Sequence, residues 1–179
     1  VSSGIRVIFL DFDGVLNSKE HFATLDKTSP PTAQEMFYID KIRRIQGDNF
    51  SRKVAVLDIR SVSRTLVGRV QWLVDETDAS VVISSAWRHA YLIPSFQVLL
   101  EFHGFKGRIL DVTPSLKSLR GHEIQAWLDL HPEVEAFCIL DDDDDMAHLG
   151  TFHVRTDFSV GLTEQDKLKA LEILTSPKV

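Results

Sequence analysis

Cysteine is almost absent from this sequence: Cys138 stands alone among 179 residues, so no disulfide can close within the chain. A reducing, intracellular and cytoplasmic setting is the expectation, with Cys138 a small buried hydrophobe in a predicted core strand. No apolar run approaches the length of a membrane span. The N-terminal apolar stretch is short and broken by acids, so neither a membrane anchor nor a signal peptide is expected. The seven histidines never fall at ligand spacing, which argues against a zinc site, and no nucleotide-type phosphate-binding glycine loop is present. Positive charge is in deficit. Twenty Lys and Arg face 26 Asp and Glu, a formal net charge of −6 that weighs against an extended nucleic-acid surface.

What is present is apolar content and alternation. With 44% hydrophobic residues the chain can bury a full core, and 1–179 reads as a single domain. Short β-branched runs alternate with segments of helical spacing, the pattern of an α/β fold with a parallel sheet and helices on both faces. Predicted helices cover Ser61 to Glu76, Pro94 to Phe102, Glu123 to Leu130 and Thr163 to about Thr175, the last opened by a Thr-Glu-Gln-Asp cap. Predicted short strands cover Arg108 to Val112 and Phe152 to Thr156. Residues 18–60 separate the first strand from its helix by more than a usual connection and read as an inserted cap or flap. Met36, Phe37, Ile39, Ile42 and Ile45 place one helix in it, with Lys41, Arg43 and Arg44 on a solvated face.

Chemistry concentrates where apolar strands end. Ile5 to Leu10 runs directly into Asp11-Phe12-Asp13-Gly14, so two carboxylates lie where a buried strand reaches solvent. Open α/β sheets bind ligands at that edge. Val81-Val82-Ile83 ends in Ser84-Ser85-Ala86-Trp87-Arg88, a second strand finishing in hydroxyls. Phe137 to Leu140 ends in Asp141, Asp142, Asp143, Asp144 and Asp145. Five successive carboxylates after a core strand repel one another strongly without a cation. Between the last two motifs, Lys117 and Arg120 stand just before a helix, where a basic side chain opposes the macrodipole and needs a reason to be there.

Taken in order over residues 5 to 146, these motifs resemble those of the haloacid dehalogenase (HAD) superfamily, whose members are mostly magnesium-dependent phosphatases with a Rossmann-like sheet. The Ser-Ser-Ala-Trp-Arg and Leu-Asp-Asp pairing is similar to a branch related to the phosphatase halves of nucleic-acid end-healing enzymes. The resemblance implies roles. Asp11 is the nucleophile that forms an aspartyl-phosphate, and Asp13 is the acid and base on the leaving oxygen and the water. Mg2+ is held by the Asp11 carboxylate, the Asp13 main-chain carbonyl and Asp141 or Asp142, with Asp145 orienting its waters. Ser84, or Ser85 beside it, holds a phosphoryl oxygen together with Arg120 or Lys117, Arg120 being favoured. Arg88 is a candidate for a bidentate phosphate contact, and Trp87 either stacks on substrate or packs beneath the site.

The implied function is a phosphomonoesterase with a fairly open site suited to a phosphoprotein side chain, such as phosphotyrosine, or a nucleic-acid end. A small-metabolite or nucleotide phosphatase is the second reading. A non-catalytic phosphate-binding module is the third, and retention of Asp11, Asp13 and the acidic run weighs against it.

Overall fold

A computed structural model describes residues 4–47 and 49–176. The ends of the expected 1–179 domain therefore lie outside the described residues. Five strands, β1 (Ile5–Leu10), β2 (Ser80–Ile83), β3 (Ile109–Val112), β4 (Val134–Asp141) and β5 (His153–Arg155), form one sheet in the order β3-β2-β1-β4-β5. Every pairing is parallel. The chain winds outward from β1 to β3 and then returns to the other side of β1 with β4. The crevice that such a reversal creates lies beyond the carboxyl ends of β1 and β4. Asp11 follows the one and Asp141 ends the other.

β1 is central because its side chains satisfy two cores at once. Val7 and Phe9 enter a cluster with Val82, Ile124, Trp127 and Ile139, while Ile8 and Leu10 enter a larger cluster on the opposite face. All four are fully buried. Each such side chain contributes about 1.5–3 kcal/mol by leaving water. The helix α6 (Arg120–Asp129) covers the first face, and α4 (Arg64–Thr77), α5 (Ile93–Phe102) and α7 (Glu164–Thr175) supply the second.

Residues 18–60 carry α1 (Lys19–Thr24), α2 (Ala33–Gln46) and α3 (Arg52–Ser61). Thr32 and Glu35 form a capping box that starts α2. Ile39 and Ile42 of α2 and Ala55 and Ile59 of α3 are fully buried in the same cluster as Phe96 and Leu99 of α5. Phe37, on the far side of α2, is exposed and has the Lys41 ammonium over its ring.

Two helix starts differ from the sequence expectation. The helix expected from Ser61 starts at Arg64 as α4: Ser61 is the last residue of α3, and Ser63, whose amide donates to Leu16 O at 2.8 Å, precedes α4. The apolar periodicity runs unbroken through this joint, so spacing alone hides it. The helix expected from Glu123 starts three residues earlier, which makes Arg120 its first residue.

Candidate active site

The loop after β1 is held from several sides. The amides of Val15, Leu16 and Asn17 all donate to Phe12 O, closing a tight turn. Gly14 sits at φ +71°, and a Cβ there would run into the Asp142 side chain. Only glycine allows that approach. Thr156, just past β5, donates its hydroxyl to Gly14 O at 2.7 Å.

Asp11 is nearly buried, and its Oδ1 accepts from the Phe12 amide at 2.8 Å. One carboxylate oxygen from each of Asp11, Asp141 and Asp142 falls within 4.8 Å of the others. Arg120 reaches into this cluster: its Nη1 lies 3.5 Å from Asp11 Oδ1 and its Nε 3.1 Å from Asp141 Oδ2. The same Nη1 donates to Ser84 O at 2.6 Å. Asp145 anchors this arginine's helix, accepting from the Arg120 amide at Oδ2 and from the Gly121 amide at its carbonyl.

One guanidinium cannot balance three carboxylates. Burial lifts the Asp11 carboxyl above the usual range despite the opposing pull of Arg120. Burial, and then the charge of Asp11, push Asp141 up to about 8. Asp142 is raised as well, by burial first and then by Asp143 and Asp11. Among the polar atoms that are buried without a hydrogen bond are Asp141 Oδ2, Asp145 Oδ1 and Ser84 Oγ. Such an all-oxygen set, crowded and short of partners, fits a hard divalent cation and the oxygens of a phosphate.

The expected phosphate ligands divide. Ser85 is buried, its hydroxyl lies near enough to the Asp11 carboxyl to hold its pKa down, and it accepts from the Trp87 amide. Ser84 is buried with its hydroxyl unpartnered. Arg120 joins the cluster, whereas Lys117 is exposed on the loop before α6. Arg88 turns inward. Its guanidinium donates to Ser84 O and Ser85 O and pairs with Glu123 among side chains 6% and 7% exposed, so it braces the serine turn from within.

Sequence reasoning missed what orients Asp13. Its carboxylate is exposed, yet both oxygens are taken: Asn17 Nδ2 donates to Oδ1 at 2.7 Å and Trp87 Nε1 donates to Oδ2 at 3.0 Å. Asn17 is fully buried and also accepts from the Gly14 amide. Trp87 stacks on Phe12 at 4.8 Å and lies parallel to Tyr91 at 6.1 Å, so the indole is fixed as a donor. A buried asparagine four residues after Asp13 was the available signal for the first contact. The second joins residues 74 apart in sequence and had none.

A chamber of about 250 Å³ opens at Asp11, Asp13, Arg120, Asp142 and Asp143. Larger depressions of about 720 Å³ lie at the opposite, N-terminal edge of the strands, and the described residues there include no acid cluster of the Asp11 kind.

One protein family's sequence model, that of the HAD domain in Swiss Army Knife RNA repair proteins, matches residues 7–167. The matched span contains every acid of the cluster, both serines and Arg120. No curated protein and no solved structure matches the chain.

Proposed function

This chain belongs to the family of HAD domains in Swiss Army Knife RNA repair proteins, a domain type that implies a phosphatase-type hydrolase, and on that premise we propose a magnesium-dependent phosphomonoesterase acting on nucleic-acid ends through an aspartyl-phosphate. The observation that carries the reading is the convergence of Asp11, Asp141 and Asp142 within 4.8 Å beside Arg120. The Asp11 carboxylate, the Asp13 carbonyl and the Asp141 and Asp142 carboxylates would hold the cation. Bound there, it neutralises the repulsion between carboxylate and phosphate.

Asp11 attacks phosphorus, its oxygen forming the new P–O bond as the bond to the leaving oxygen breaks. Asp13, held by Asn17 and Trp87, delivers a proton to that oxygen. It then takes a proton from the water that attacks the phosphoryl group and restores the Asp11 carboxylate. Arg120 and the Ser84 and Ser85 hydroxyls steady the transferring oxygens. Residues 18–60 form the wall that the leaving group meets.

Phosphate release measured on 3′- and 5′-phosphorylated oligonucleotides, phosphopeptides and sugar phosphates tests the assignment. Oligonucleotides should be preferred, chelation should abolish release, and added magnesium should restore it. Asp11→Asn should fold and release nothing. Turnover that survives exhaustive chelation, or that persists in folded Asp11→Asn, would sink the mechanism.

A further inference from the structure

Asp13 stands between two cavities. One is the chamber with Asp11 and Arg120. The other, about 280 Å³, is bounded by Phe22 and Leu25 near α1, Lys27, Leu57 and Asp58 of α3, and Trp87. Phosphoryl transfer uses an in-line arrangement, so attack by Asp11 expels the leaving oxygen on the side facing away from Asp11. The acid that protonates this oxygen opens onto the second cavity. Whatever carries the phosphate therefore extends into it.

We propose that this second cavity receives the terminal nucleobase of a single-stranded RNA end, with Trp87 and Phe22 as aromatic walls and Asp58 as an acceptor for the N–H groups of the base edge. The inference rests on the phosphatase reading above and adds the part of the substrate that is recognised. Trp87 is a rigid platform because Phe12 packs parallel to it. Phe22 is set edge-on by Phe158, which also lines the phosphate chamber. Base stacking on such side chains is tolerant of sequence.

The polar groups complete the fit. Asp58 Oδ2 accepts the Tyr91 hydroxyl, and Oδ1 accepts no hydrogen bond among the described residues. Carboxylates accept from base amino groups, so Oδ1 is the atom that a base edge can satisfy. Arg60, at the same cavity, is committed to Glu35 and to the carbonyls of Asp26 and Ser29. Lys27 is exposed at the rim, where the next phosphodiester would pass, and has no ion pair among the described residues. The volume lies just below the roughly 300–1,000 Å³ of drug-sized pockets, which admits one ring system and excludes a paired end. A phosphotyrosine ring would fill the apolar part but leave Asp58 unanswered.

Two measurements on the intact protein decide it. Guanosine and ribose, neither carrying phosphate, are titrated in chelator by calorimetry. The nucleoside should bind at least about 10-fold tighter. Leu57→Arg, at a position 37% exposed and therefore compatible with folding, should erase that margin at an unchanged melting temperature. With magnesium, kcat/KM for a mononucleotide should exceed that for ribose phosphate, which has the same kind of leaving oxygen. Equal binding of guanosine and ribose overturns the inference, as does an equal kcat/KM for the mononucleotide and ribose phosphate. Tight guanosine binding without any phosphate release upholds the base pocket and sinks the phosphatase reading instead.

Discussion

Two carboxylate–guanidinium assemblies in this molecule behave in opposite ways. In the 18–60 segment, Arg60 Nε donates to Glu35 Oε1 at 2.7 Å and its Nη2 to Oε2 at 3.1 Å, and the Thr32 amide also donates to Oε2. The remaining Arg60 donors go to the carbonyls of Asp26, Ser29 and Pro30. These bonds hold Glu35 down at about 2 despite burial. At the ends of β1 and β4, Arg120 faces Asp11 and Asp141 without meeting their needs, and burial lifts both acids. The first assembly is complete and stabilises the fold. The second stays short of charge and partners until something binds, which is the mark of a site selected for function at the expense of stability.

The sharpest test of that contrast is Asp13→Asn, which removes the acid and base but leaves the cluster acids in place. Turnover should fall about 100-fold to 10,000-fold, and less for an aryl phosphate, whose leaving oxygen needs little protonation. Trapped aspartyl-phosphate should accumulate. Equal slowing of aryl and alkyl substrates with no trapped intermediate would reduce Asp13 to a shaping role.

Breaking the complete pair should instead show in stability. Glu35→Gln leaves the half-buried Arg60 without its carboxylate and should cost about 1.5–3 kcal/mol in denaturant unfolding at neutral pH. The folded pKa of Glu35 lies below its ordinary value of 4.5, so its contribution is complete above about that pH and is lost as pH falls toward 2. Wild type and variant should converge across that window. A gap that widens on acidification would contradict the assignment.

Relieving the crowding of buried acids should do the reverse. Asp141→Asn is expected to raise the stability of the chelated protein by about 1 kcal/mol while abolishing magnesium-dependent turnover. Thermal unfolding in chelator reads the first effect and phosphate release the second. Loss of stability would show that the Arg120 contact already balances Asp141.

The smallest effect should come from Trp87→Phe, which keeps a ring over Phe12 and deletes only the N–H to Asp13. A hydrogen bond to a charged group is worth about 1.5–3 kcal/mol, so turnover should drop about 10-fold to 100-fold, with folding intact. No change in rate would leave Asn17 as the sole orienting group.

The sequence exposed the two acid-bearing strands because Val7 to Leu10 and Phe137 to Leu140 are buried on both faces, and a continuous apolar run ending in charge admits few other readings. It left Arg120 and Lys117 as two cations near a helix start, and only the fold puts Arg120 beside the acids. The inward turn of Arg88 was not legible, since its partner Glu123 lies 35 residues on and either residue alone resembles a surface charge. The break at Ser63 was hidden for the opposite reason: Val62 and Leu66 are both buried and keep helical spacing across it. Local pattern reports burial well, and pairing across the sheet poorly.

The Arg88–Glu123 pair has a mechanical consequence. Glu123 holds the Leu116 amide at 2.8 Å with its other oxygen, so one carboxylate rivets the serine turn, the start of α6 and the loop that bears Lys117 into a single plate. That side of the crevice cannot swing without tearing apart a pair shielded from water. Any opening of the crevice must then lie on the α1 side, and whatever enters there leaves by the same door.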